Sequence, residues 1–220
     1  MLRDIINLLR KDNLQERALA ACYEMLDLCA SMIDASIESL RRRDDAETDV
    51  DVAAVDKKIN AFERDVRRKV MTHLSLGNEG DLTAGLTLIS IVIDIERIGD
   101  YAKNIHDIAV HHPRRLEAGP LEEDLQSIEK ESLALFRGAS HAFKESDEEA
   151  ARGLMQDYKD ELSMHCRRLE EALVSGSVEL ASADAASLAL YMRCLKRIGA
   201  HSRNLASSVV NPLDRIGYNE

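Results

Sequence analysis

The stretch IERIGDYAKNI, Ile95 to Ile105, lies within a run whose apolar residues recur as they do on a buried helix. Within it, Glu96 and Asp100 stand four residues apart with Gly99 between them. Residues at i and i+4 share a helix face, so two like charges crowd together there. A mid-helix glycine costs a further ~1 kcal/mol relative to alanine. Both features weaken the helix that carries them, so each calls for a compensating reason.

Outward from this stretch the chain reads as helix throughout. The 220 residues suffice to bury a core, with 45% hydrophobic and 31% charged residues. Three prolines, no tryptophan and 4% aromatics do not suit a turn-rich sheet protein, and an all-α fold is expected. Breaks divide the pattern into six long segments: about Asn13–Arg43 with a short helix allowed before it, Val50–Leu76, Leu82–His111, Leu121–Lys144, a fifth to about Val174, and Val178–Val210. Gly77 and Gly80 are expected to end the second, with Asp81 capping the third and Pro113 closing it. Ser146 to Glu149 reads as a capping box that opens the fifth.

A shift of 100 residues lays Arg97-Ile98-Gly99 over Arg197-Ile198-Gly199, Asn104 over Asn204 and Leu88 over Leu188. The expectation is two tandem antiparallel three-helix bundles from an internal duplication. Residues 1–115 form the first repeat with an N-terminal extension, 116–212 the second, and 213–220 a tail. Helices of ~30 residues, roughly 45 Å long at 1.5 Å per residue, make the molecule elongated. Glycine at the same point of both repeats suggests close helix approach.

The net charge of −11 argues against a nucleic-acid binder and against independent adhesion to anionic lipid. The longest nearly uncharged run, Leu82–Ile93, is too short to cross a bilayer. Without a signal-peptide pattern, a cytoplasmic location is the default. Cys22, Cys29, Cys166 and Cys194 form no CxxC pair and read as small buried thiols. No Gly-rich phosphate loop, GxSxG or Glu-x-x-His motif is present, so an enzyme is not expected.

The carboxylate pair is tolerable if fully solvated, if paired with Arg or Lys, or if shared by a metal ion. The preceding helix carries an answering stripe, Asp56, Asn60 and Glu63, at i, i+4 and i+7. Antiparallel packing could join the two stripes into up to five oxygen donors, a set suited to a hard cation such as Mg²⁺, Ca²⁺ or Fe³⁺. The competing reading is a solvated acidic ridge.

The same residues, within DLTAGLTLISIVIDIERIGDYAKNIHDIA, resemble the PhoU family of phosphate-uptake regulators. Glu96, Asp100, Ala102, Asn104 and Ile105 match that family's third-helix motif, and Asp56, Asn60 and Glu63 its partner helix. The resemblance spans about Asn13 to Val210 and implies a non-catalytic adaptor between a phosphate transporter and a membrane sensor kinase. It further implies a metal ion (Mg, Mn, Fe or Zn) on Glu96, Asp100, Asp56, Asn60 and Glu63. A homodimer, peripheral at the membrane through protein partners, is expected with it. The second repeat departs from the motif, with Lys196 and Ala200 in place of the two acids and Met164 in place of Glu63. Lys196 is expected to pair with Asp157 or Glu161 and to replace the ion there. A metal-free helical scaffold unrelated to phosphate is the alternative.

Overall fold

The computed structural model describes residues 2–76, 82–112, 114–157 and 162–218, with side chains for 14–76, 82–112, 114–156 and 162–218. The described residues contain helices α1 (Leu2–Arg42), α2 (Val52–Ser75), α3 (Leu82–His111), α4 (Glu122–Glu145), α5 (Glu148–Asp157), α6 (Ser163–Ser175) and α7 (Ser182–Val210), and no strand. Helices α1, α2 and α3 pack mutually as one bundle; α4, α5, α6 and α7 form the second. The first core is built on Met25, Met32, Ile33, Ile59, Val66, Ile91, Ile95, Ile98 and Ile105, and the second on Leu125, Ile128, Phe136, Leu169, Tyr191 and Leu195, all at most 4% exposed.

Two local expectations meet a different structure. The N-terminal residues continue α1 as one helix from Leu2, with no separate helix before Asn13. Ser146 does not open the fifth helix: it adopts a left-handed conformation (φ 55°) that closes α4. Asp147 caps α5 instead, its carboxylate accepting from the Ala150 N–H at 3.0 Å. The fifth segment is described as α5 and α6 on either side of residues 158–161, which lie outside the described residues. Gly77, Gly80, Asp81, Pro113 and Glu161 lie outside the described residues.

The acidic linker has a structural use. Asp51 accepts from the Ala54 N–H at 2.9 Å and so caps α2, worth ~1 kcal/mol.

The bundles join where α3 packs along α7. The two helices run antiparallel, because Asp94 meets His201 and Asn204 while His112 meets Asp184. Given the duplication, the seam is a pseudo-two-fold contact between equivalent helices. Outside it, α1 and α4 are tied by three ion pairs at seven-residue intervals along α1. These are Asp27–Lys144 (2.6 Å), Asp34–Arg137 (2.8 Å) and Arg41–Glu129 (2.8 Å). Arg41 has the least exposed side chain of the six; it also binds Glu122 and the Leu116 carbonyl, while Tyr191 Oη donates to Glu129 at 2.7 Å.

Candidate functional site

The stripes on α2 and α3 do face each other. Gly99 explains how: a Cβ there would lie 3.0 Å from Ile59 Cδ1, so glycine lets α2 approach α3 at the level of the acidic pair. Ile59 follows Asp56 by three positions and is buried, which directs Asp56 toward α3 as well. Asp56 and Glu96 are 8% and 9% exposed, so the solvated-ridge reading does not describe them.

Glu96 is the electrostatic focus. Burial raises its carboxyl pKa, and Asp100 raises it further; Arg97 opposes them, and Glu63 and Asp56 push it up again. Carboxylates from both helices therefore act on one group. The outer members carry cations. Arg97 binds Asp100 at 2.8 Å and approaches Glu96 at 3.5 Å, Lys103 binds Asp56 at 3.2 Å, and Arg67 binds Glu63 at 2.9 Å. Asn60 donates to the Asp56 carbonyl at 3.0 Å.

As these side chains stand, no three His, Cys, Asp or Glu among the described residues enclose one ion position. The donor chemistry nevertheless fits a hard cation, since every candidate ligand offers oxygen. An ion here would have to draw carboxylates away from Arg97, Lys103 and Arg67.

In the second repeat the ammonium of Lys196 lies 3.8 Å from Glu170. The expected partners, Asp157 through its side chain and Glu161 altogether, are outside the described residues. His165 pairs with Glu131 at 2.7 Å. The four cysteines are free and buried. Burial pushes the Cys22 and Cys166 thiols up to about 12 and Cys194 up to about 11, which keeps them protonated.

One polar cluster was not anticipated. At the seam, Asp94 Oδ1 accepts from His201 Nδ1 (2.7 Å) and Asn204 Nδ2 (2.9 Å). Arg197 reaches His201 Nε2 at 3.2 Å and Tyr101 Oη at 3.2 Å, and the Tyr101 and His201 rings stack with centroids 5.8 Å apart. A signal for it existed: Asp94 follows Ile91 by three positions and precedes Ile98 by four, an acid at core spacing.

Fold and site together define a duplicated helical-bundle protein with a carboxylate-rich face on its first repeat. The PhoU domain model matches residues 22–109, which run from α1 to α3 and contain that face. The phosphate-specific transport system accessory protein PhoU homolog of Xylella fastidiosa (strain Temecula1) is 26% identical over 203 residues, covering 90% of this chain and 83% of that protein. A PhoU homolog 1 of Thermotoga maritima is 26% identical over 193 residues, covering 85% and 82%. In three dimensions, PhoU from Pseudomonas aeruginosa superposes with a TM-score of 0.78 at 23% identity, covering 90% of this chain and 96% of that one. The phosphate transport system regulatory protein PhoU from Streptococcus pneumoniae gives 0.72 at 18% identity, covering 93% and 95%. Residues 22–109 of the chain match the PhoU domain, and the relatives similar to it along most of its length are named as accessory proteins of phosphate-specific transport.

Proposed function

We propose that this protein is a non-catalytic regulator of phosphate uptake and phosphate-starvation signalling, acting as an adaptor between a phosphate transporter and a sensor kinase. The observation that carries this reading is the match of the PhoU domain to the helices bearing Glu96, Asp100, Asp56, Asn60 and Glu63. Relatives that share it along most of the chain are named as accessory proteins of phosphate-specific transport. No described helix is long and apolar enough to cross a membrane, which suits a protein recruited to membrane partners rather than inserted beside them. Our reading places it in the cytoplasm as a homodimer.

The same reading gives the α2–α3 face a hard cation, held by the carboxylates of Glu96, Asp100, Asp56 and Glu63 with the Asn60 carbonyl oxygen. Support comes from the raised Glu96 carboxyl: crowded acids on two helices are the field that a divalent or trivalent cation relieves. The ion would clamp α2 to α3, and its uptake would release Arg97, Lys103 and Arg67 from their present partners.

The test combines elemental analysis with a phosphate-response reporter in cells lacking the native protein. The wild type should restore repression at high phosphate. A Glu96→Ala/Asp100→Ala variant should lose bound metal, if the cation reading holds, and weaken repression. A wild type that leaves the reporter unchanged would remove the phosphate reading. Retained repression in a metal-free variant would remove only the cation.

A further inference from the structure

The chain is strongly acidic, yet one helix turns an uncompensated basic face to solvent. The exposed residues of α2 are Ala53, Ala54, Lys57, Lys58, Ala61, Arg64, Arg68, Met71, Thr72 and Ser75. They recur every three or four positions and so form one stripe. Four are cations and none is a carboxylate. The acids of α2 are paired: Asp56 with Lys103 and Glu63 with Arg67, both turned inward, and Asp65, at the edge of the stripe, with Lys69. By contrast, Lys57, Lys58, Arg64 and Arg68 have no ion-pair partner among the described residues, although Lys58 lies 5.4 Å over the Phe62 ring. The net charge of the chain concealed this separation.

We infer that the outer face of α2 is a peripheral docking surface for an anionic lipid bilayer. Three observations favour a bilayer over an acidic protein segment. The four cations occupy residues 57–68 of one continuous helix, a span of roughly 16 Å at 1.5 Å per residue, so a plane can meet them at once. Ala53 and Ala54 precede the cations and Ala61 stands among them; these small residues let the helix lie close to a plane but give a peptide no apolar anchor. Beyond the last cation two apolar residues stand exposed, Met71 at 58% and Leu76 at 46%, suitable for shallow insertion among headgroups. The −11 charge does not forbid contact, because acids more than ~8 Å from the headgroups are screened at physiological salt. This inference is independent of the metal and phosphate readings.

The full chain is to be sedimented with neutral phosphatidylcholine vesicles and with vesicles containing phosphatidylglycerol, at low and high salt. Each cation near an anionic surface contributes roughly a fivefold factor in binding. The inference expects sedimentation with the anionic vesicles alone, lost at ~1 M salt where the Debye length is about 3 Å. Lys57→Glu/Arg64→Glu should weaken it by at least about tenfold while helicity by circular dichroism is unchanged. Arg167→Glu, exposed on α6, should leave binding as it is. Absence of binding, equal binding to neutral vesicles, or indifference to the double substitution would overturn the assignment. Capture of polyglutamate without vesicle binding would also overturn it, and would give the face to an acidic protein.

Discussion

Asp94 on α3 accepts a hydrogen bond from His201 Nδ1 on α7 at 2.7 Å, across the seam between the two bundles. Arg197, a permanent donor, sits at the opposite ring nitrogen, so the contact requires His201 Nε2 to accept. The pair thus holds one tautomer and one relative placement of α3 and α7. With Asn204 also donating to Asp94, two positions of α7 depend on a single carboxylate.

Asp94→Ala should therefore destabilise the protein by about 3 kcal/mol, because buried His201 and half-buried Asn204 lose their acceptor together. Urea unfolding measures the loss. Asp94→Asn, which keeps an acceptor oxygen but not the charge, should cost less. Equal stability of Asp94→Ala and wild type would show that the seam does not need the pair.

Gly99→Ala weighs two opposed effects. Alanine gains ~1 kcal/mol in helix propensity. Its Cβ would meet Ile59 Cδ1 at 3.0 Å, and Ile59 is a core residue, 1% exposed. Overpacking of that kind costs ~1–3 kcal/mol, so we expect net destabilisation of about 1 kcal/mol. Shortening the neighbour in Gly99→Ala/Ile59→Val should recover most of it. A Gly99→Ala protein more stable than wild type would refute the close-approach account.

Glu96 gives a pH dependence with a definite sign. Its folded pKa is raised by burial and then by Asp100, so between its unfolded and folded pKa the native state holds more protons than the unfolded one. Stability contributed by this group is present below the ordinary glutamate range and is lost as pH rises through the folded value. In metal-free protein, Glu96→Gln should raise Tm at pH 7, and the difference should shrink as pH falls toward 4. A Tm difference constant across that range would remove Glu96 from the account.

The segment after α7, expected as a tail, folds back as a hook. Asn211 Nδ2 donates to the Arg215 and Tyr218 carbonyls at 3.1 and 2.8 Å, and Gly217 N–H donates to Ser207 Oγ at 2.8 Å. Gly217 has φ +85°, and a Cβ there would stand 2.8 Å from Asn204 Oδ1. Gly217→Ala should detach the hook, at ~1 kcal/mol or more for the left-handed backbone and the clash. Trypsin should then cut after Arg215 several times faster. An unchanged cleavage rate would show that the hook does not protect that bond.

Periodicity alone determined the all-helical fold, because apolar residues at helical spacing must be buried on one side whatever lies opposite. Self-similarity at 100 residues determined the duplication, and Glu96 and Asp100 were visible as a pair because helix geometry fixes i and i+4 neighbours locally. Helix ends were less legible: Ser146 and Asp147 are adjacent, and which one caps depends on where α4 closes, a contest that residue type does not settle. Only the tertiary structure decided what the acids face. Lys103 lies 47 positions from Asp56, and His201 lies 107 from Asp94. It also decided the basic face of α2, since Asp56 and Glu63 offset its cations in a count but turn away from solvent in space, and Asp65 is held by Lys69. Charge sums along a chain, whereas a surface presents only the side chains that packing leaves outside.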